Sequence, residues 1–374
     1  MKYSNFIIIS ITLIILSCAN GEGDKVLIDV NPISDYFQEH FTLSSIVPLE
    51  TSDSLLISDI DRIIHIGKDY LILSKKDRIV FIVDGKSGKL KMKIKKFGNG
   101  PGEYNNILDI AYDESNNHIF IYSDNLKLLC YDTKGNFQYE KTVSEIFEHI
   151  TFYDNNILFY NAMNGYSCSP YLLSILNMST NKITNIGIQK DVNFPIRSKG
   201  LQLVNSKGIY FTAPLDFNIF KFNGENYISC MELNIPQDAF THKYIRMATN
   251  SPMDFLSKTY EDEIVYSINS IRELESHFIF RTNLMELCFY PKNEKQPCVL
   301  TEEFTLWNLF KLTPSDYFPH DGDDNQLIFL LSANKWNDGL NSLDGLSTEW
   351  KNQISKMNIQ YDDNPILLIF EENN

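Results

Sequence analysis

Acidic and amide side chains alternate in the stretch HDGDDNQ, where Asp321, Asp323 and Asn325 occupy every second position. The first three ligands of an EF-hand calcium loop have this spacing, and that loop also needs Gly at position six and Glu at position twelve. Gln326 and Ser332 stand there instead. The stretch is therefore not an EF-hand, and two interpretations remain open: a solvated loop, or a calcium site of another kind.

Sequence motifs of enzymes that use a nucleophile or zinc are missing. The chain has no G-x-S-x-G and no H-E-x-x-H, and its seven histidines are scattered without i, i+4 pairing. No C-x-x-C or Cys/His spacing suggests zinc. Cys288 and Cys298 stand almost symmetrically about Asn293, so a hairpin could bring them to disulfide distance. The alternative is two small buried residues on neighbouring strands.

Three glycines and a proline lie close together in KKFGNGPGEYNN, residues 95–106. A dinucleotide-binding phosphate loop needs G-x-G-x-x-G between a strand and a helix. Here the spacing is G-x-G-x-G, and the strand-like pattern ILDIAYD follows. We therefore predict a structural loop made of Gly98, Gly100, Pro101, Gly102 and Glu103, in which the glycines supply positive φ and the proline adds stiffness.

The N-terminus carries an export signal. The apolar run FIIISITLIILS follows Lys2 and is too short for a comfortable membrane span. The order Ile-Leu-Ser-Cys ending at Cys18 resembles a bacterial lipobox, in which the cysteine is lipidated and becomes the first residue. We predict a signal peptide over 1–17, a lipidated Cys18 with a polar tether over 18–44, and a periplasmic or cell-surface location. An uncleaved anchor helix is the alternative.

Charge and composition limit the partners. Without residues 1–17 the chain has 32 basic and 48 acidic side chains, a net charge of −16, which argues against nucleic acid as a partner. The 48 aromatic residues are enough for a large core. We expect a monomer.

Short β-branched and aromatic runs, separated by turn residues, recur along the chain and predict antiparallel strands. The segments 70–94 and 118–143 align as strand, turn, strand, glycine-containing turn, strand, and weaker copies follow. The matching strands begin near residues 71, 119, 157, 209, 278 and 327. These spacings are close to the 40 to 50 residues of one four-stranded propeller blade, so the sequence predicts an all-β fold, a six-bladed β-propeller.

The last blade lacks one strand, and the N-terminal segment SSIVPLE can supply it from Ile46 to Leu49. This closure makes residues 45–371 one domain. Helical insertions are predicted at SPMDFLSKTYEDEI, between blades four and five, and at LSTEWKNQISKM, where Ser347 caps the helix. The glycine loop then connects blades one and two.

FGNGPGEY, VPLETSDSLLISDIDRII and DDNPILLIF together resemble the six-bladed β-propeller lipoproteins that are abundant in Bacteroidetes. The glycine loop also resembles the GxGPGEF signature of NHL-repeat propellers. The resemblance covers about 320 residues and implies a propeller in the cell envelope. It assigns no catalytic residue.

Several basic residues converge on one rim in this arrangement. Lys75 and Arg78 lie in or beside the second-to-third strand loop of blade one, Arg281 lies near the same loop of blade five, and Arg197 and Lys199 enter blade four. An anionic ligand is one interpretation, and ordinary surface charge is the other.

The favoured function is non-catalytic binding of a glycan, peptide or protein on the face formed by the inter-blade and second-to-third strand loops. No cofactor is required. The alternative is a calcium-assisted hydrolase or lyase of the propeller lactonase type, with Asp59, Asp61, Asp109 and Asp321 as channel carboxylates.

Overall fold

The computed structural model describes residues 24–27, 36–162, 169–189, 200–213, 215–234, 242–293, 298–300, 304–306, 310–322, 324–340 and 347–373. Cys18, Arg197, Lys199 and Asp323 lie outside these ranges, so the predictions made for them are not addressed by the structure.

Six antiparallel sheets form a ring, and each sheet is one blade. Blade one comprises Arg62–Ile66, Asp69–Ser74, Ile79–Asp84 and Leu90–Ile94, and blade two comprises Ile107–Asp113, His118–Ser123, Lys127–Asp132 and Phe137–Thr142. Blade three comprises His149–Tyr153, Asn156–Tyr160, Tyr171–Asn177 and Ile183–Gln189, and blade four comprises Leu203–Asn205, Ile209–Phe211, Asn218–Phe222 and Tyr227–Asn234. Blade five comprises Ile268–Glu273, His277–Thr282, Leu287–Pro291 and Cys298–Leu300, and blade six comprises Tyr317–Phe318, Gln326–Leu331, Ile366–Glu372 and Phe41–Pro48.

The repeat pattern identified the second strand of every blade. These strands begin at residues 69, 118, 156, 209, 277 and 326, each within two residues of the predicted start. Each gap between neighbouring blades holds a buried apolar cluster, which explains why the middle strands are apolar on both faces. The prediction of a six-bladed β-propeller is confirmed.

The ring closes through the N-terminal strand, as predicted. Phe41–Pro48 pairs antiparallel with Ile366–Glu372. The packed chain begins at the helix Tyr36–His40, earlier than the expected boundary at residue 45, because Phe37 is buried against aromatic residues of blades five and six. Asp24–Leu27 also pairs in parallel with the outer strand of blade four. The tether expected over 18–44 therefore contains folded segments.

Helices are short and lie between strands of the ring. His242–Asn250 and Pro252–Glu261 form the predicted insertion between blades four and five, and the second of them begins with proline, a residue that suits the first helical position. Thr348–Ile354 is the helix predicted within blade six, and the Ser347 hydroxyl accepts the Trp350 N–H. Three further elements were not predicted: the helix Ala333–Gly339, the 3-10 turn Pro314–Asp316, and a hairpin of Phe304–Leu306 with Phe310–Leu312.

Among the described residues, none of the helices has the length and apolar character needed to cross a membrane.

The cysteine hairpin in blade five has a register that does not place its two cysteines opposite each other. Cys288 lies opposite Val299, and Cys298 lies opposite Phe289. Cys288 is a free, buried thiol. The disulfide alternative is therefore wrong.

Candidate functional site

The innermost strands of the blades surround a central channel, and a buried arginine lies within it. Arg62, in the first strand of blade one, donates from Nη1 to Asp109 Oδ2 at 2.6 Å and from Nη2 to Asp321 Oδ2 at 2.5 Å. Asp109 belongs to blade two and Asp321 to blade six, so one guanidinium joins three blades. Because two carboxylates share one guanidinium, the cluster of Arg62, Asp109 and Asp321 has an excess of negative charge.

His149 of blade three adds to this polar cluster. Its Nδ1 lies 3.3 Å from Asp109 Oδ2, and its Nε2 lies 3.1 Å from Gln202 Oε1. Burial raises the pKa of Asp109, but Arg62, His149 and Lys75 together outweigh that effect and hold the pKa at about 2. The Asp109 carboxylate is thus ionised inside the channel.

The channel is crossed by the loop between the first and second strands of blade six, which we call the plug (residues 319–322 and 324–325). The Asp321 N–H donates to Ile63 O at 3.0 Å, and Asp321 O accepts from His65 N at 2.8 Å. On the other side, the Gly322 N–H donates to Asn205 O at 2.8 Å, and Asp321 Oδ1 accepts from Asn205 N at 3.0 Å. Blades one and four are opposite in a ring of six, so the plug spans the channel.

A second buried arginine holds the plug from blade five. The Arg272 guanidinium donates to the carbonyls of His320, Gly322, Asp324 and Gln326 and also pairs with the Asp324 carboxylate. His65 Nδ1 lies 2.8 Å from the other Asp324 oxygen. Burial alone would raise the pKa of Asp324, but His320, His65 and Arg272 hold it far below its usual range. The plug is therefore fixed by charge and by backbone bonds.

His320 belongs to the plug, and its side chain is fully buried. Its Nε2 lies 3.0 Å from Asp324 Oδ1. Burial, with Arg272 nearby, lowers the pKa of His320 to about 4, so its imidazole is neutral at physiological pH.

A cavity of about 500 Å³ lies over the plug on the face formed by the first-to-second strand loops. Its lining comes from blades one, two, three, four and six. The aromatic side chains of the lining are Tyr112, Phe152 and Tyr153, and the acidic ones are Glu114, Asp154, Asp321 and Asp324. The remaining polar side chains are His65, Ser115, Thr151, Asn205 and Ser206. No lysine or arginine is among these described lining residues. The cavity offers aromatic faces and hydrogen-bond acceptors to a ligand.

The cavity lies on the face opposite to the one favoured by the sequence. Lys75 and Arg78 do lie in the second-to-third strand loop of blade one. The Arg78 guanidinium stacks over the Phe97 ring at 4.8 Å. Arg281 ends the second strand of blade five near the corresponding loop, but its side chain is buried. The structure therefore does not show Arg281 on an exposed rim with Lys75 and Arg78.

The carboxylates considered for calcium have partners within the protein. Asp109 and Asp321 share Arg62, and Asp61 accepts the Lys75 N–H at 2.7 Å. Asn325 Nδ2 donates to Glu275 Oε2 at 3.0 Å. Among the described residues, no group of three or more His, Cys, Asp and Glu side chains is arranged to hold a metal ion.

The glycine loop uses its amide groups internally. The Gly98 N–H donates to Tyr104 O at 3.1 Å, the Gly100 N–H to Glu103 Oε2 at 2.9 Å, and the Gly102 N–H to Glu140 Oε2 at 3.0 Å. Gly98 and Gly102 have φ of 153° and 70°, as expected, whereas Gly100 is not among the residues with positive φ. Pro101 is exposed. The first two contacts hold the loop together, and the third ties it to the last strand of blade two.

Sequence reasoning missed the residues that build the plug site, above all Arg62, Arg272 and Asp324. A signal for the arginines was present, because each lies among apolar residues in a strand-like run, DRIIHI and INSIRE. An arginine there must be buried, and a buried arginine needs a carboxylate partner.

Solved structures with the same fold include two from Bacteroides. A "Putative exported protein" from Bacteroides fragilis matches with a TM-score of 0.72 and 16% identity, over 94% of this chain and 99% of that one. A member of the DUF4221 family from Bacteroides vulgatus matches with a TM-score of 0.53 and 8% identity, over 89% of this chain and 98% of that one. At these identities the likeness shows the fold alone.

No curated protein sequence matches the chain. A family model described as "Domain of unknown function (DUF4934)" matches residues 27–371, and the chain therefore belongs to this family.

Proposed function

We propose that this protein is a lipid-anchored propeller of the bacterial cell envelope that binds a glycan or a peptide, without catalysing a reaction, in the cavity over the plug. The cavity is the observation that carries the proposal. The apolar N-terminal run and the lipobox-like order before Cys18 support the envelope location. The name of the Bacteroides fragilis protein, "Putative exported protein", agrees with that location.

The cavity is suited to binding because it is preformed. Its walls come from the first strands and the first-to-second strand loops of blades one to four, and its floor is the plug held by Arg62 and Arg272. A ligand that enters therefore orders little of the protein, which lowers the entropic cost of binding. A volume of about 500 Å³ lies within the range of ordinary ligand pockets.

The lining favours a ligand with hydroxyl or amide groups and an apolar face. Tyr112, Phe152 and Tyr153 offer ring surfaces for stacking, while Glu114 and Asp154 offer exposed carboxylates as acceptors. A sugar ring or a short peptide presents both kinds of surface. Asp109 and Asp321, deeper in the channel, are already paired with Arg62, which supports binding without catalysis.

Binding can be tested with glycan and peptide arrays, followed by calorimetry on each hit. Tyr153→Ala and Glu114→Gln should each weaken a genuine hit, by about tenfold for the aromatic side chain. Tyr260→Ala and Glu349→Gln are matched controls, because both residues are exposed on helices and outside the cavity lining. Mass spectrometry after incubation should return the ligand unchanged.

Two results would contradict the proposal. One is a hit whose affinity survives both cavity substitutions, because its site would then lie elsewhere. The other is a chemically altered ligand, because catalysis would then occur.

A further inference from the structure

Arg281 is a buried cation with no counter-ion among the residues that the structure describes. It lies in the second strand of blade five and is 8% exposed. Its Nη1 is 3.5 Å from Tyr317 O, its Nη2 is 3.4 Å from Ser270 Oγ, and its Nε has no partner. No carboxylate in the described part of the chain forms an ion pair with it. Arg62 and Arg272, which are also buried, each pair with aspartate.

The hydroxyl beside Arg281 is held there by an unusual backbone. Ser270 is fully buried with φ of 59°, in the left-handed region that serine rarely adopts, and it lies at an irregularity in the pairing of the first two strands. Its N–H donates to Leu201 O at 2.7 Å, and its carbonyl accepts from the Tyr317 hydroxyl at 3.3 Å. Such backbone conformations cost stability, and the ones that persist cluster at functional sites. Ser270 thus marks the junction of blades four, five and six.

This junction is separate from the cavity over the plug. Arg281 stands at the end of its strand that leads to the second-to-third strand loop, whereas the cavity is lined by first-to-second strand loops. The two features therefore occupy opposite ends of the blades.

The energetics of Arg281 call for an anion. An unpaired buried charge destabilises the folded protein, because its hydration is lost without compensation. Burial lowers the pKa of Arg281, in keeping with this cost. The planar guanidinium fork fits the two oxygens of a carboxylate, phosphate or sulfate group, and its two long hydrogen bonds leave donors free for them.

We propose that the Arg281 guanidinium forms an oxyanion-binding site at the end of the blades opposite the cavity. Ser270 lies beside it and orients it: the Ser270 hydroxyl donates to Asn269 Oδ1 at 2.7 Å and accepts from Arg281 Nη2. The ligand is a small molecule or terminal group that carries a carboxylate, phosphate or sulfate. The proposal does not rest on ligand binding in the cavity.

The test is calorimetry of the purified protein with sodium glucuronate, phosphate and sulfate, at constant ionic strength set with sodium chloride. At least one oxyanion should bind saturably and raise the Tm, and the preferred anion identifies the chemical class. Arg281→Met should weaken that binding by at least about tenfold. Its Tm without added anion should equal or exceed that of the wild type, because an unpaired buried charge is replaced by an apolar chain. Arg78→Met, at an exposed arginine, should change neither value.

Three results would overturn the proposal. The first is a wild-type protein that binds none of the three oxyanions. The second is an Arg281→Met variant that binds as tightly as the wild type. The third is an Arg281→Met variant that unfolds or melts at a lower temperature, because Arg281 would then serve the fold alone; Arg281→Lys, which keeps the charge, would then restore stability.

Discussion

At the scale of single residues, the buried arginines have different roles that follow from their partners. Arg62 pairs with two aspartates, and Arg272 donates to three carbonyls of the plug, to Gln326 O and to the Asp324 carboxylate. Arg281 has only two long contacts to neutral oxygens. Removing a paired buried charge leaves its partner uncompensated, whereas removing an unpaired one relieves a cost. The same substitution, arginine to methionine, is therefore expected to have opposite effects at positions 62 and 281.

Arg62→Met should lower the free energy of unfolding by about 3 to 5 kcal/mol at neutral pH, because Asp109 and Asp321 lose their counter-charge. Arg62 opposes the effect of burial on both pKa values, so both pKa values should rise in the variant. A carboxyl group whose folded-state pKa is raised contributes stability that is present at low pH and is lost as the pH rises. The deficit should therefore shrink as the pH falls toward about 4, which urea unfolding at several pH values would measure.

Arg78→Met is the matched control for this experiment, because Arg78 is exposed and stacks only on Phe97 among aromatic rings. Its effect should be small and independent of pH. An Arg62→Met deficit that stays constant between about pH 4 and 7 would show that the two aspartates are not the cause.

At the scale of elements, the glycine loop shows how a turn fixes the packing of two blades. Gly102 has φ of 70°, and a Cβ placed there would lie 2.7 Å from Phe137 Cγ in the last strand of blade two. Gly102→Val should therefore destabilise the fold by about 1 to 3 kcal/mol, through backbone strain together with this clash. Thermal or urea unfolding measures the loss.

Gly67→Val separates the two causes. Gly67 has φ of 64°, and nothing lies within 4 Å of a Cβ placed there, so only the backbone cost applies. Phe137→Ala combined with Gly102→Val should recover the steric part of the loss. Equal destabilisation by the two glycine substitutions would remove the clash from the explanation.

The strands that sequence reasoning located are those buried on both faces. Ile79–Asp84 and Lys127–Asp132, for instance, are apolar at nearly every position, and a repeat of about 48 residues makes them visible. Innermost strands are harder to find, because Leu203–Asn205 and Tyr317–Phe318 have three and two residues. A run that short has no measurable periodicity. The Phe304–Leu306 hairpin was missed for the same reason.

At the scale of the whole molecule, the site could not be predicted because it has no local signature. The bond between Arg62 and Asp321 joins residues 259 positions apart, and five blades contribute to the cavity. The sequence did place Lys75, Arg78 and Arg281 near loops of the same type, but it could not show that Arg281 turns inward. That direction depends on packing among blades four, five and six. A repeat pattern gives the order of strands and not the charges that face each other across the ring.

The proposed attachment to a membrane also concerns the whole molecule. Asp24–Leu27 pairs with the outer strand of blade four, and Cys18 precedes it by six residues. Six residues span at most about 20 Å, so a lipid on Cys18 would hold the edge of blade four close to the membrane surface.

Growth with radiolabelled palmitate should label the wild type, whereas Cys18→Ala should abolish labelling and leave the precursor uncleaved. Cys130→Ala is the matched control, because Cys130 is a buried cysteine in blade two and its loss should leave labelling intact. Labelling that persists in Cys18→Ala would rule out lipidation at this cysteine, and blade four would then need no fixed place at the membrane.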